Sequence, residues 1–128
     1  MKHREIKFKA KRLDNGEWIY GDLLHGKLKN DMFISKTYNL GTDLLFDDYP
    51  VASETVCQFT GLIDNNGVEV YENDIIQNHK FGDKGTVVWS DIACGFTKKG
   101  SFDGIFLFVK CMGWTVIGNK FDRKEGEG

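Results

Sequence analysis

Between Asp64 and Asp74 the chain concentrates Asp64, Asn65, Asn66, Glu69, Glu72, Asn73 and Asp74 around Gly67. Oxygen donors at that density suit three chemistries: a calcium loop, a pair of carboxylates for acid–base work, or polar turns between short strands. The calcium pattern needs glycine at the sixth loop position and a bidentate glutamate at the twelfth. Counting from Asp64 puts Gly67 fourth and Ile75 twelfth, which leaves only an irregular site from Asp64, Asn66 and Glu69. Carboxylate catalysis needs groups that converge in environments driving their pKa values apart. Glu69, Glu72 and Asp74 are the candidates for such a small hydrolase-like site, and spacing alone does not bring them together. The turn reading accounts for the whole stretch: Asn66 and Gly67 suit the positive φ of a tight turn, and Asp74 suits a carboxylate that accepts turn N–H groups.

The remaining reactive side chains are scattered. His3, His25 and His79 are far apart, and Cys57, Cys94 and Cys111 form no CxxC pair, so zinc would have to assemble wholly through tertiary contacts. A Cys57–His79 couple is the one nucleophile arrangement left open. No phosphate-binding glycine loop, GxSxG elbow or HExxH helix occurs. No metal, cofactor or catalytic residue is therefore expected.

Charge adds one further candidate. The net charge is −2, which provides no global field toward nucleic acid or an anionic membrane. The distribution is uneven: residues 1–12 hold six Lys or Arg and one Glu. A nucleic-acid interface would use Lys7, Lys9, Lys11 and Arg12 for the backbone, with Trp18 as a stacking surface. The same alternating lysines would equally guard an edge strand against unwanted pairing.

The elements that must position these residues are strands. Fifteen glycines, one proline and 13% aromatic residues suit short strands and tight turns. "EIKFKAKRL" alternates, with Ile6, Phe8 and Ala10 on an inner face and Lys7, Lys9 and Lys11 on an outer one. "DNG" at Asp14–Gly16 is a hairpin turn built on Asn15 and Gly16, which leads into a strand over Glu17–Leu24. Residues 25–50 read as a variable insertion or mobile loop, with a strand in "DMFISKTY" and a short helical turn near "GTDLLFDDYP". "ETVCQFTGLI" resumes a strand, with Val56, Phe59 and Leu62 inward and Gly61 at a bulge or close approach. Further strands are expected at Val68–Tyr71, from Ile75 onward, at Gly85–Ser90, Gly104–Lys110 and Trp114–Phe121. Trp18, Trp89 and Trp114 are expected to close the core.

The order of "KFKAKRLDNGEWIYGDLL", "VCQFTGLIDNNGVEVYENDII", "GTVVWSD" and "WTVIGN" resembles the YopX family of small proteins encoded by phages and prophages of low-GC Gram-positive bacteria. The resemblance implies a mainly β protein whose C-terminal part is similar to an SH3-like small barrel or roll, capable of self-association. It carries no catalytic roles. Cys57, before "QFTG", stands where that family commonly has glycine, and so does Asn73 in "YENDI". The end after Asn119 lacks the family's usual asparagine-proline continuation.

The expected architecture is one mainly β domain over 1–122, with a hairpin region at 5–50, a barrel-like part at 54–121 and a frayed tail at 123–128. The expected function is noncatalytic: protein interaction or self-assembly in phage or prophage biology. Its partners would be another copy or a phage or host protein. The chain lacks an N-terminal apolar run and any stretch long enough to span a bilayer, so the host cell cytoplasm is the expected compartment and no membrane the expected contact.

Overall fold

Strands dominate because apolar and polar side chains alternate with a period of two between glycine- and asparagine-centred turns. The computed structural model describes residues 5–78, 82–91, 95–98 and 113–122. Among these are ten strands: β1 (Phe8–Lys11), β2 (Trp18–His25), β3 (Met32–Leu40), β4 (Asp43–Val51), β5 (Cys57–Ile63), β6 (Glu69–Tyr71), β7 (Asp74–Asn78), β8 (Lys84–Ser90), β9 (Gly95–Lys98) and β10 (Trp114–Asn119). Single 3₁₀ turns cover Ser53–Thr55 and Lys120–Asp122. Among the described residues all pairings are antiparallel and the strands form open sheets. Among the described residues no helix is long and apolar enough to cross a membrane. The expected strand at Gly104–Lys110 and the tail at 123–128 lie outside the described residues.

The chain forms two compact units, Met1–Gln58 and Phe59–Gly128. In the first, the strands run in the order β4-β3-β2-β1, with Cys57 and Gln58 of β5 pairing on the far side of β1. The registers Ala10↔Ile19, Leu23↔Ile34 and Met32↔Val51 put one face of every strand on a shared core. Ala10, Ile19, Ile34 and Val51 are buried there, with Phe8, Leu23, Met32, Tyr49 and Val56 packed against them. At its root β4 folds back on β1 through an isolated Arg12↔Val51 bridge. Leu13 N–H donates to the Pro50 carbonyl at 3.1 Å and Ala52 N–H to the Lys11 carbonyl at 2.9 Å.

Three expectations for this unit are corrected. Ile6 precedes β1 and is 61% exposed, so the inner face begins at Phe8. Lys9 is buried, because β1 lies between β2 and β5 and is not an edge. Within residues 25–50 the strand expected in "DMFISKTY" is found as β3, but the "GTDLLFDDYP" stretch forms no helical turn: it enters β4, and the two strands make a hairpin with nine paired positions, the longest among the described residues. A two-residue loop, Gly41-Thr42, permits it: Gly41 takes φ 66°, which glycine adopts without a Cβ penalty.

In the second unit, the rest of β5 pairs with β6, and a four-stranded sheet runs β10-β7-β8-β9. Its core holds Val70, Ile76, Val87, Phe96 and Trp114, with Leu62 and Val116 against them. Gly61 stands at φ 88° where the β5–β6 register shifts, a bulge in the sense expected from sequence. Thr60 stitches it closed: its hydroxyl donates to the Val70 carbonyl at 2.7 Å and accepts Leu62 N–H at 3.2 Å.

Gly21 marks a close approach between β2 and β3. A Cβ at Gly21 would run into the Ser35 carbonyl oxygen, a backbone atom that cannot swing away. Gly21→Ala is expected to destabilise the protein by about 1–3 kcal/mol, the usual cost of overpacking. Gly118→Ala, where a Cβ meets open space, should stay within about 0.5 kcal/mol of the parent. Urea unfolding of the two variants measures the difference.

Candidate functional site

The acidic stretch is spent on backbone. Asp64 is buried at the turn between β5 and β6. Its Oδ1 accepts the N–H groups of Asn66 and Val68, each at 2.8 Å. Its Oδ2 reaches across to accept Val116 N–H at 2.9 Å, and Asn65 N–H donates to the Trp114 carbonyl at 3.0 Å. The turn is thereby closed and the outer edge of β10 covered. Gly67 holds φ 81° within the same turn, as Gly16 holds φ 71° in the first hairpin, where Asn15 Oδ1 accepts Glu17 N–H at 2.9 Å.

Asp74 works the same way one turn later. It is 1% exposed, and its Oδ2 accepts Tyr71 N–H at 2.7 Å while its Oδ1 accepts the Asn119 side-chain amide at 2.9 Å. Asn119 Oδ1 in turn accepts Phe121 N–H at 2.9 Å. Asn73 sits at φ 69°, so the position where the resembled family often carries glycine does require a left-handed residue, and asparagine tolerates it. Glu69 accepts the Tyr71 hydroxyl at 3.3 Å. Among the described residues, no group of three or more His, Cys, Asp or Glu could hold a metal ion. Cys57 is buried, its thiol donating to the Thr55 carbonyl at 3.2 Å. His3, His79, Cys94 and Cys111 lie outside the described residues.

The basic residues divide. Lys9 and Lys11 lay their ammonium groups over the Trp18 ring, 4.7 and 5.4 Å from its centroid, and Lys9 is only 7% exposed. Lys7 pairs with Glu5 at 3.3 Å. Arg12 makes a two-pronged contact with Asp14, at 3.0 and 2.6 Å, and stacks its guanidinium over the Tyr49 ring at 4.6 Å. Hydrogen bonding to Asp14 raises the Arg12 pKa, and Arg12 correspondingly lowers that of Asp14. The pair is surface-exposed, where solvent screening makes its contribution small. Lys9, Lys11 and Trp18 therefore come together, while Lys7 and Arg12 are each tied to a carboxylate. Of the three tryptophans expected in the core, Trp114 is buried and Trp89 is half exposed. Trp89 Nε1 donates to Asp91 at 2.9 Å, and its ring meets Phe96 edge to face at 5.3 Å.

Among the described residues an open apolar edge lies where the sequence reads as a loop. Beyond the core, the β3–β4 hairpin runs on as a two-stranded arm in which Leu44, Leu45 and Phe46 are exposed, Phe46 to 62%. Apart from the bridge at its root, β4 pairs only with β3 among the described residues. The root is covered by Lys11 and Leu13, which bond the outward groups of Ala52 and Pro50. Strand alternation then turns the N–H and C=O of Leu44, Phe46 and Asp48 outward as well. Pro50 fits this phase, since its missing N–H falls on the outward side. Across the arm, the hydroxyls of Tyr38 and Tyr49 meet at 3.2 Å. The nine-residue β-compatible runs on either side of Gly41-Thr42 were the available signal; "DLLF" followed by two aspartates obscured the alternation.

The YopX protein family model matches residues 7–125, and the chain belongs to the YopX family. The structure is similar to the crystal structure of protein EF1440 from Enterococcus faecalis, at 23% identity over 91% of this chain and 94% of that one, with a TM-score of 0.58. At that identity the likeness concerns the fold alone. No curated protein matches the chain.

Two measurements check the hydrogen bonds of Asp74 and Tyr49. Asp74→Ala should cost about 1–3 kcal/mol for each buried donor it strands, on Tyr71 and Asn119, as read by chemical unfolding. Separately, the Tyr38 hydroxyl holds the Tyr49 pKa above the ordinary phenol value of 10.0. Because the folded value exceeds the unfolded one, this pair leaves stability unchanged below about pH 10 and weakens it as pH rises further. Ultraviolet titration should show a tyrosine ionising late, and Tyr38→Phe should bring it back toward the normal range.

Proposed function

We propose that this YopX-family protein is noncatalytic and acts by self-association and protein contact through the β3–β4 arm, in phage or prophage biology within the host cytoplasm. The observation that carries the reading is the edge of β4 over Asp43–Tyr49, open among the described residues, with Leu44, Leu45 and Phe46 exposed beside it. Edge addition draws its binding geometry from backbone N–H and C=O groups and requires few unusual side chains. An exposed apolar edge strand of this length is a template for another chain unless something guards or uses it. The second unit is read as an SH3-like roll, supported by the order β10-β7-β8-β9, in which β7, β8 and β9 form a meander and a fourth strand, β10, returns beside β7.

The nucleic-acid alternative rests on the Lys9–Lys11–Trp18 cluster. It has weaker support, because Lys9 is buried and Lys7 and Arg12 are already paired with carboxylates. A hydrolase-like site has less, because the buried carboxylates of Asp64 and Asp74 accept backbone N–H groups.

Light scattering across a concentration series tests the reading. The average mass should rise with concentration for the parent chain. Leu44→Pro should hold the protein at monomer mass with an unchanged circular dichroism spectrum, since it removes an outward N–H that β3 does not use. A parent chain that stays monomeric throughout, or a proline variant that assembles like the parent, would overturn the proposal.

A further inference from the structure

Resting on that self-association, we infer that two copies pair β4 against β4 in antiparallel fashion, about a two-fold axis passing through Phe46. The inference follows from three constraints on one strand. A two-fold contact presents the same patch from both copies, so only antiparallel self-pairing is allowed. Directly opposed residues that exchange hydrogen bonds must both carry outward backbone groups. On the open part of β4 those residues are Leu44, Phe46 and Asp48, and the edge ends at Pro50, which has no N–H and whose carbonyl is taken by Leu13.

The third constraint is charge. β4 carries Asp43, Asp47 and Asp48, and like charges directly opposed across two strands are destabilising. An axis through Leu45 sets Asp43 against the partner's Asp47. An axis through Asp47 or Asp48 sets that residue against its own copy. An axis through Leu44 avoids the clash but pushes the contact onto the Gly41-Thr42 turn, leaving Asp48 without a strand opposite. The axis through Phe46 alone uses the whole open edge with no two carboxylates opposed. It pairs Phe46 with the partner's Phe46, Leu44 with the partner's Asp48, Leu45 with the partner's Asp47 and Asp43 with the partner's Tyr49. Every outward N–H and C=O of Leu44, Phe46 and Asp48 then has a partner.

Disulfide trapping in the full-length protein reads the register directly. In a hydrogen-bonded antiparallel pair the Cα atoms lie about 5.5 Å apart, within disulfide reach. Phe46→Cys should therefore cross-link to a dimer under oxidised glutathione at least about tenfold faster than Leu44→Cys or Leu45→Cys, with the parent chain as the blank for its native cysteines. Should removing the aromatic ring weaken association, an equimolar mixture of Leu45→Cys and Asp47→Cys keeps the test open. Those positions oppose each other at about 4.5 Å in the same register, and the mixed dimer should dominate over either homodimer. Dimers seen by light scattering but trapped preferentially through Leu44→Cys or Leu45→Cys would overturn the register while leaving self-association standing. A parent chain of constant monomer mass, with no trapping at any of these positions, would overturn both.

Discussion

The constraint on which this structure depends is that each backbone N–H and C=O in a strand must find a partner. Short strands in a chain of 128 residues create many edges, and the sequence spends its polar residues on closing them. Asp64 covers β10 at Val116 while closing its own turn. Asp74 ties Tyr71 to Asn119, joining the turn before β7 to the end of β10. Arg12 and its neighbours fold over the root of β4. Buried carboxylates that resemble catalytic groups in sequence are here acceptors for amide hydrogens, and a carboxylate has enough lone pairs to serve several at once.

The same constraint explains the basic strand. Lysines in an edge strand would point freely to solvent; β1 is flanked on both sides, so its alternate face has neighbours. Lys9 and Lys11 resolve the conflict by setting their ammonium groups over the Trp18 ring, where the ring's negative face attracts the charge. Trp18 is thereby a platform for two cations of its own chain and much less available for a base. The first unit uses for its own packing residues that composition alone would assign to binding.

Local chemistry made part of this legible. Turns whose geometry is dictated within a few residues could be read: Asn15-Gly16, Asn66-Gly67, the bulge at Gly61 and the cap at Asp74 depend on positive φ or on side chains reaching adjacent amides. The strands around them follow from two-residue alternation. What could not be read depends on partners distant in sequence. Asp64 gives no local sign of reaching Val116, and Lys9 does not reveal that β5 will pair beside it. The β3–β4 arm was obscured for a different reason: its outer half has no buried face, so the alternation that betrays a half-buried strand is missing there.

That missing alternation bears on what the arm is for. A strand under selection only to be inert would carry lysine, proline or a bulge along its free edge. β4 has a proline only at its root, where the edge is already covered, and the open part keeps three apolar residues between aspartates. Charges in that arrangement discriminate instead of excluding: they penalise registers that oppose two carboxylates, and of those they spare only one uses the whole open edge. Asp43 on one side and Asp47 and Asp48 on the other bracket Leu44, Leu45 and Phe46, so the carboxylates that keep the edge soluble also restrict how a second strand can lie on it.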